Sequence, residues 1–544
     1  MHHRFRRTAR VGRLALPAVL SLTVALLVPV GSAAGRAAAP GRPRPPAAVG
    51  DWYTWQHDLA GSRFNGAETA INPRTVGSLK LKWAFAYPAI PYRMAKSQPA
   101  VVGGVIYFGS PDNKFYALDA RTGATRWSFD LATVTGPITG DGSVWDGPTV
   151  VHGTVYFGDH RGYLYALDAR TGRLRWDTLL DTHPLVGITG SPLYFDGSIY
   201  VGTSSTESGV PVDYPCCTFR GQVVSVDARS GRVRWRHYIV PPARRAGSWP
   251  NGVARYEPSG GAVWATPVID AATRTLIVGT GQNYTGSAGD IDSVLALSTD
   301  NGRTRWKQQL IKHDTWRQVC QQPGNEAYCP GDASGSALDF DFGAMPNLFT
   351  VHGQTLVGIG QKNGVYHTYD ARTGRLKWQT TLGVPKPNGG VGGLEWGGAY
   401  DGHRLYLASW QADPGTLYAL EPATGRILWR TPNPADGCST GGASRYPQLC
   451  ELALTPAVSA TPDLVYEGSA DGKLRIFSAA TGALRWQFDT VRDFAGVNGV
   501  PGRGSALSGN GGAVVSNGML YVQSGYYPFY PTDRGYVLLA FALS

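Results

Sequence analysis

The chain of 544 residues carries 50 Lys and Arg against 39 Asp and Glu, a formal net charge of +11. Residues 1–39 hold six arginines and no acid, so the remainder stands near +5 without a basic stripe, which argues against nucleic acid as a partner. The six cysteines include no two that are three apart, so there is no C-x-x-C-H haem attachment and no zinc-type C-x-x-C.

In chain order, the start reads as a secretory leader over 1–39: the basic "RFRRTARVGR", the apolar run "LALPAVLSLTVALLVPVG" at 14–31, then small residues around "SAAGRAAAP". A retained membrane anchor is the weaker reading, because two prolines interrupt the run; no later stretch is apolar for long enough to span a bilayer. The protein is therefore expected to be secreted or periplasmic. An even number of cysteines in an exported chain argues for oxidised pairs. Proximity suggests 216–217, 320–329 and 438–450. A Pro-, Ala- and Arg-rich linker follows over 40–50. The roughly 500 residues that remain would ordinarily form several domains, unless the sequence repeats.

It does repeat. The strand "LKLKWAFAY" around Trp83 stands alone. After it, a half-unit of the form P-x-V-x-x-G-x-(V/I)-Y-x-G recurs eight times, from "PAVVGGVIYFG" (99–109) and "PTVVHGTVYFG" (148–158) to the looser "AVVSNGMLYVQSG". A second half-unit recurs seven times, as in "YALDARTGATRW" (116–127) and "YALDARTGRLRW" (165–176). Alternating apolar residues broken by D-G or T-G turns read as four short antiparallel strands per unit. Units of this kind predict an all-β fold over 51–544, an eight-bladed β-propeller of four-stranded antiparallel blades. The chain ends in "YVLLAFALS" with no fourth strand after it, so pairing with the strand around Trp83 would complete the eighth blade. Trp83, Trp127, Trp176, Trp235, Trp306, Trp378, Trp429 and Trp486 then occupy equivalent places and are expected to pack blade on blade. The Asp of "ALDARTG" reads as a turn residue rather than a catalyst.

An antiparallel pair brings the start of its first strand and the end of its second to the same end of a blade. Residues just before "P-x-V" and just after "Y-x-G" therefore share one face near the axis. After the second strand, repeats three to five carry Ser204 and Glu207 ("TSSTES"), Gln282 and Asn283 ("TGQNYT") and Lys362 ("GQKNG"). Before the first strand stand Trp145, Thr189, Trp264, and Asp339 with Asp341 ("LDFDFGAMP"). Singly, each has an ordinary reading: solvated charges for Glu207 and Lys362, turns for Asn283 and Asp341, core for Trp264. Their shared location favours a binding mouth. A glutamate beside an amide oxygen suits a hard cation such as calcium. A nearby carboxylate can serve as general base, and a lysine can stabilise an oxygen that gains charge.

Cys216 and Cys217, in "VPVDYPCCTFRGQVV", are adjacent. Neighbouring Cα atoms lie about 3.8 Å apart, whereas ordinary disulfides want roughly 4.4–6.8 Å, so a bridge between them closes a small, unusual ring.

These residues resemble the eight-bladed quinoprotein alcohol dehydrogenases, which use pyrroloquinoline quinone (PQQ) and calcium, with the polyvinyl-alcohol dehydrogenases as the nearest branch. "CCTFRG", "DFDFGA", "LVYEGSADGKL" and the terminal "SGY" followed by "VLLAF" carry the resemblance over essentially the whole mature chain. It implies that Thr189 and Ser204 contact the quinone and that Trp264 forms a stacking floor beneath it. It also implies that the Cys216–Cys217 ring, with Arg220 of the same motif, lies against the opposite face. Glu207 and an amide, Asn283 ahead of its neighbour Gln282, would hold calcium; Asp341 would be the catalytic base beside it, and Lys362 would contact the quinone oxygens. Gly343 stands where lanthanide-using relatives carry an Asp, which implies calcium. The implied reaction oxidises secondary or polymeric alcohols to carbonyls, with electrons passed to a separate acceptor, cytochrome c or another. Two departures, "TGQN" and Glu395 ahead of Trp396, keep a second reading open: a non-catalytic propeller scaffold for protein binding, similar to outer-membrane assembly propellers.

Overall fold

The computed structural model describes residues 50–90, 93–136, 143–329, 339–383, 392–410, 414–507, 509–526 and 534–544. The expected leader, and all of the linker except Gly50, lie outside them. Eight four-stranded antiparallel sheets succeed one another along the chain. The first is made of Ala100–Val102, Val105–Gly109, Lys114–Asp119 and Thr125–Asp130. The eighth joins the two ends of the propeller: Val514–Ser516, Met519–Ser524 and Val537–Leu543 are completed by Leu79–Ala86. Leu79 lies opposite Leu543 and Ala86 opposite Val537, so the ring closes as the repeats predict.

Inner strands such as Met519–Ser524 are buried along their whole length, because they face neighbouring blades on both sides. Outer strands such as Leu174–Leu179 meet solvent at every second residue. In the first blade, Ala117 pairs with Trp127 and Leu118 with Thr125, which leaves Arg126 as a bulge. That extra residue turns the tryptophan inward and the arginine outward. Arg126 then reaches Asp119 at 2.8 Å, while the other oxygen of Asp119 accepts from the backbone N–H of Arg121 and Thr122. The repeated aspartate is thus a turn residue.

The inward tryptophans join the blades. The Trp127 indole donates to the Ala169 carbonyl of the next blade at 3.0 Å and lies against Gly172, where a Cβ would fall 2.6 Å from its ring. The same indole-to-carbonyl bond links Trp83 to Ala120, Trp176 to Ala228, Trp235 to Thr299, Trp306 to Ala371, Trp378 to Pro422 and Trp429 to Ala479. Trp486 faces the closing blade, which has no such turn, and packs edge-on to Phe541 at 5.5 Å.

Residues 51–65 form a strap that the repeats do not foretell. Trp52 pairs with Val101 in the first blade, and carbonyls of the strap accept from Val150, Ile269, Leu348, Tyr400 and Ala460 in the second, fourth, fifth, sixth and seventh. Asn65 donates to Val515 in the eighth. Arg63 is fully buried and donates to Val458, Trp55 and Gln98; burial pulls its pKa down to about 9, against the field of Glu467. The three expected disulfides, Cys216–Cys217, Cys320–Cys329 and Cys438–Cys450, are present. No helix among the described residues is long and apolar enough to cross a membrane.

The tryptophan contact makes a paired prediction. Gly103 and Gly172 both have positive φ, but a Cβ at Gly103 meets open space. Gly103→Ala should lose only the left-handed backbone term of about 1–2 kcal/mol, and Gly172→Ala distinctly more, measured as the shift in urea midpoint.

Candidate active site

Eighteen residues line a cavity of about 610 Å³ on the face where the repeats lose their pattern. Those just before a first strand include Trp145, Thr189, Trp264, Asp339 and Asp341; those just after a second strand include Ser204, Gln282 and Lys362. Two-stranded ribbons lace these segments together. Val186–Gly187 pairs with Ser204–Ser205, Ser259–Gly260 with Asn283–Thr285, and Ala344–Met345 with Trp396–Gly397.

Lys362, Asp339 and Asp341 are nearly buried, and the lysine Nζ lies 2.7 Å from Asp339 Oδ1 and 3.3 Å from Asp341 Oδ2. Asp341 Oδ2 also accepts from the Trp264 indole at 2.9 Å, and Oδ1 from the Gln282 backbone N–H at 2.7 Å. Its orientation is therefore fixed from three sides. Burial pulls the Lys362 pKa down, but the fields of Asp339, Asp341 and Glu395 prevail and hold it well above the usual lysine range. The Trp264 ring lies 5.3 Å from that ammonium and edge-on to Trp396 at 5.2 Å. Gly343 makes room for the indole: a Cβ there would sit 1.9 Å from Cη2. Thr189 and Ser204 share a hydrogen bond of 2.5 Å at the opposite wall.

Other expected members are not among the residues that line the cavity. Glu207 is fully buried, and its carboxylate accepts from the backbone N–H groups of Thr218 and Phe219 at 2.8 Å each and lies 3.3 Å from His183 Nε2. It anchors the cysteine loop and is not among the cavity-lining residues. Cys216 and Cys217 are fully buried and pack with Val186, Val210, Phe219, Ala262 and Tyr284, with Trp264 against the same cluster; neither is among the cavity-lining residues. Arg220 stacks on Tyr238 at 3.9 Å and donates to Val240, away from the cavity. Asn283 donates to Ser259 and Ala288 while its Oδ1 is buried without a partner; of the two amides, Gln282 faces the cavity. Along an extended segment, neighbours point to opposite sides, so only one of the pair can face inward.

His160, Tyr284, Trp316 and Gln318 also line the cavity but were not singled out in the sequence. His160 follows the second strand of its repeat as Ser204 does, so the same rule reaches it. Trp316 and Gln318 belong to an insertion that has no repeat register.

The residues fit the groups that the resemblance implies. A cavity of this size, with one aromatic floor, hydroxyls and a cation, suits a flat polar cofactor. The Gln282 amide meets the Asp341 carboxylate edge to edge: turned one way its nitrogen donates to Oδ2 at 3.0 Å, turned the other way oxygen faces oxygen. The second arrangement is one that a hard cation satisfies.

Behind Asp341, Asp292 and Asp314 are both buried. Burial first, then the field of Asp314 and those of Asp341 and Asp339, raises Asp292; burial raises Asp314 to about 8, with the Phe340 N–H opposing and the fields of Asp341 and Asp339 adding to it. The unfolded chain ionises these groups near pH 4, whereas the folded chain retains their protons, so their contribution to stability falls as pH rises from about 4 to about 8. Thermal melts of the cofactor-free protein should show that decline, and Asp314→Asn should flatten it.

Residues 52–323 match the family described as glucose/ethanol/alcohol dehydrogenase, beta-propeller domain, and residues 361–526 match outer membrane protein assembly factor BamB. The polyvinylalcohol dehydrogenase of Sphingopyxis sp. (strain 113P3) is 33% identical over 88% of this chain and 73% of its own length. The quinohemoprotein alcohol dehydrogenase of Comamonas testosteroni is 26% identical over 81% of this chain and 69% of its own. The crystal structure of the Comamonas testosteroni enzyme superposes with a TM-score of 0.65 at 21% identity, covering 91% of this chain and 81% of that one, which bears on the fold alone. A buried Lys–Asp pair over a tryptophan, set in a closed eight-bladed ring and joined to identity of this extent, places the chain in the PQQ-dependent quinoprotein alcohol dehydrogenase family, on its polyvinylalcohol dehydrogenase side.

Proposed function

We propose that this chain oxidises secondary or polymeric alcohols to carbonyls with PQQ and calcium, outside the cytoplasmic membrane, and passes the electrons to a separate acceptor such as a cytochrome c. The observation that carries the reading is Asp341, held by Trp264, Gln282 and Lys362 at the wall of the 610 Å³ cavity. Trp264, Thr189, Ser204 and Lys362 would hold the quinone, and Gln282 with Asp341 would hold the metal. When bound, the quinone supplies a two-electron acceptor for hydride and calcium supplies a Lewis acid.

The chain's own residues do the remainder. Asp341 accepts the hydroxyl proton of the alcohol; the donors on its two oxygens fix it as a general base. Lys362 stays cationic because three carboxylates surround it, and it can donate to an oxygen that gains charge. Trp264, closed at its edge by Trp396, offers a flat apolar surface and excludes water from one side of the site. The Glu207 carboxylate holds the loop of Thr218 and Phe219, and the Cys216–Cys217 pair packs on Ala262, Tyr284 and Trp264. All six cysteines are paired with one another. The scaffold alternative draws on the match of residues 361–526, but a scaffold has no need of a buried lysine amid carboxylates.

Reconstitution tests the reading: PQQ and calcium are added to purified protein, and dye reduction is followed with polyvinyl alcohol and small secondary alcohols. Turnover should require the quinone and fall on chelation of calcium. Asp341→Asn should lower kcat by about 10²–10⁴-fold while equilibrium dialysis still shows bound PQQ. Trp264→Ala should instead weaken PQQ retention. Quinone-independent turnover, or an Asp341→Asn protein of full activity, would reject the mechanism.

A further inference from the structure

A second cavity of about 530 Å³ adjoins the first, and His160 and Thr206 line both. We propose that it is an outer subsite, which binds the neighbouring stretch of a polyhydroxylated chain while one carbinol of that chain lies at Asp341. The inference rests on the alcohol-dehydrogenase reading and adds to it where the rest of a polymeric substrate goes.

The ridge between the cavities is a fixed aromatic step. The His160 ring stacks on Trp145 with centroids 3.7 Å apart and planes 12° from parallel, and Lys96 Nζ lies 3.0 Å from the Trp145 ring. Gly187 closes on the histidine: a Cβ there would sit 2.8 Å from Cδ2. Thr206 is tied by its N–H to the Leu185 carbonyl at 3.1 Å. A flat ring at this point suits the C–H face of a hydrocarbon backbone, which can cross it without losing hydrogen bonds.

Beyond the ridge the lining turns polar, with Arg161, Tyr163, Asp181 and Thr182. Arg161 Nη1 is buried without a hydrogen-bond partner. A donor left so costs about 1–3 kcal/mol, and a hydroxyl oxygen would relieve it. Asp181 is held by the His183 N–H at 2.9 Å and the Gln222 amide at 2.7 Å, one on each oxygen, so each oxygen keeps a lone pair for a further donor. An unpaired donor and a fixed acceptor in one cavity match hydroxyl groups, which both accept and donate. The first cavity has to take the quinone as well as the reacting carbinol, so the second, of about 530 Å³, is where the rest of a long substrate finds room.

The test uses vinyl-alcohol oligomers of graded length and pentane-2,4-diol as probes. Calorimetry reports binding to the cofactor-free chain, and dye reduction reports turnover by the reconstituted enzyme. Thr182→Trp fills the second cavity, and Arg161→Gln removes the unpaired donor. Wild-type affinity should rise with oligomer length until the chain spans both cavities. Thr182→Trp should abolish that gain, weakening long oligomers about tenfold, with a smaller loss for Arg161→Gln, while the diol shifts by less than about twofold. Affinity independent of length in the wild type, or an equal loss for diol and oligomer in both variants, would overturn the subsite. Length-dependent binding without any PQQ-dependent turnover would sink the dehydrogenase reading and leave the subsite standing. Turnover of long oligomers with a KM indifferent to both variants would do the reverse.

Discussion

At seven of the eight junctions a blade is fastened to the next by an indole N–H on a backbone carbonyl and a tryptophan ring on a glycine turn, and the site depends on this contact to hold adjacent blades at one spacing. Trp264 precedes the fourth blade, whereas Asp341 and Lys362 flank the first two strands of the fifth, so the Trp264–Asp341 bond of 2.9 Å survives only if those two blades do not drift. The bulge before every tryptophan serves the same end, since without the extra residue the indole would face solvent and the arginine the core. Periodic structure thus supplies precision that the loops alone would lack.

Within this frame the site is electrostatically lopsided. Asp292, Asp314, Asp339, Asp341 and Glu395 crowd around a single lysine, and burial raises Glu395 to about 7. Such a cluster is costly for the fold and is expected where function demands it. A divalent cation beside Asp341, as proposed above, would relieve the repulsion and would couple its own binding to stability. The Gln282 amide is well suited to that exchange, because either end of it can meet the carboxylate.

The ring, its closure and the tryptophan positions were legible in the sequence because repetition samples the same geometry many times. The mouth was legible too, since a strand's two ends have a fixed relation: Thr189, Ser204, Trp264, Gln282, Asp341 and Lys362 all reach the cavity. Legibility failed where direction depends on a single residue or a loop. Gln282 and Asn283 differ only in which side of an extended segment they occupy, and the turn at Glu207–Gly209 swings its carboxylate toward backbone donors that no spacing announces. Cys216, Cys217 and Arg220 were placed by motif, and their packing on Ala262, Trp264 and Tyr238 is something no spacing announces. Asp314 and Trp316 lie in an insertion, where no neighbouring repeat offers a template.

The strap at 51–65 carries a consequence for how the chain assembles. These residues leave the ribosome or an export channel among the first of the folded part, yet their partners extend to Ala460 and Val515. Blades can form one by one from local hairpins, whereas the strap has no complete set of hydrogen-bond partners until nearly the whole chain is present. The earliest segment made must therefore dock among the last, and until then Arg63 and the strap's tryptophans stay open to solvent, proteases and chaperones.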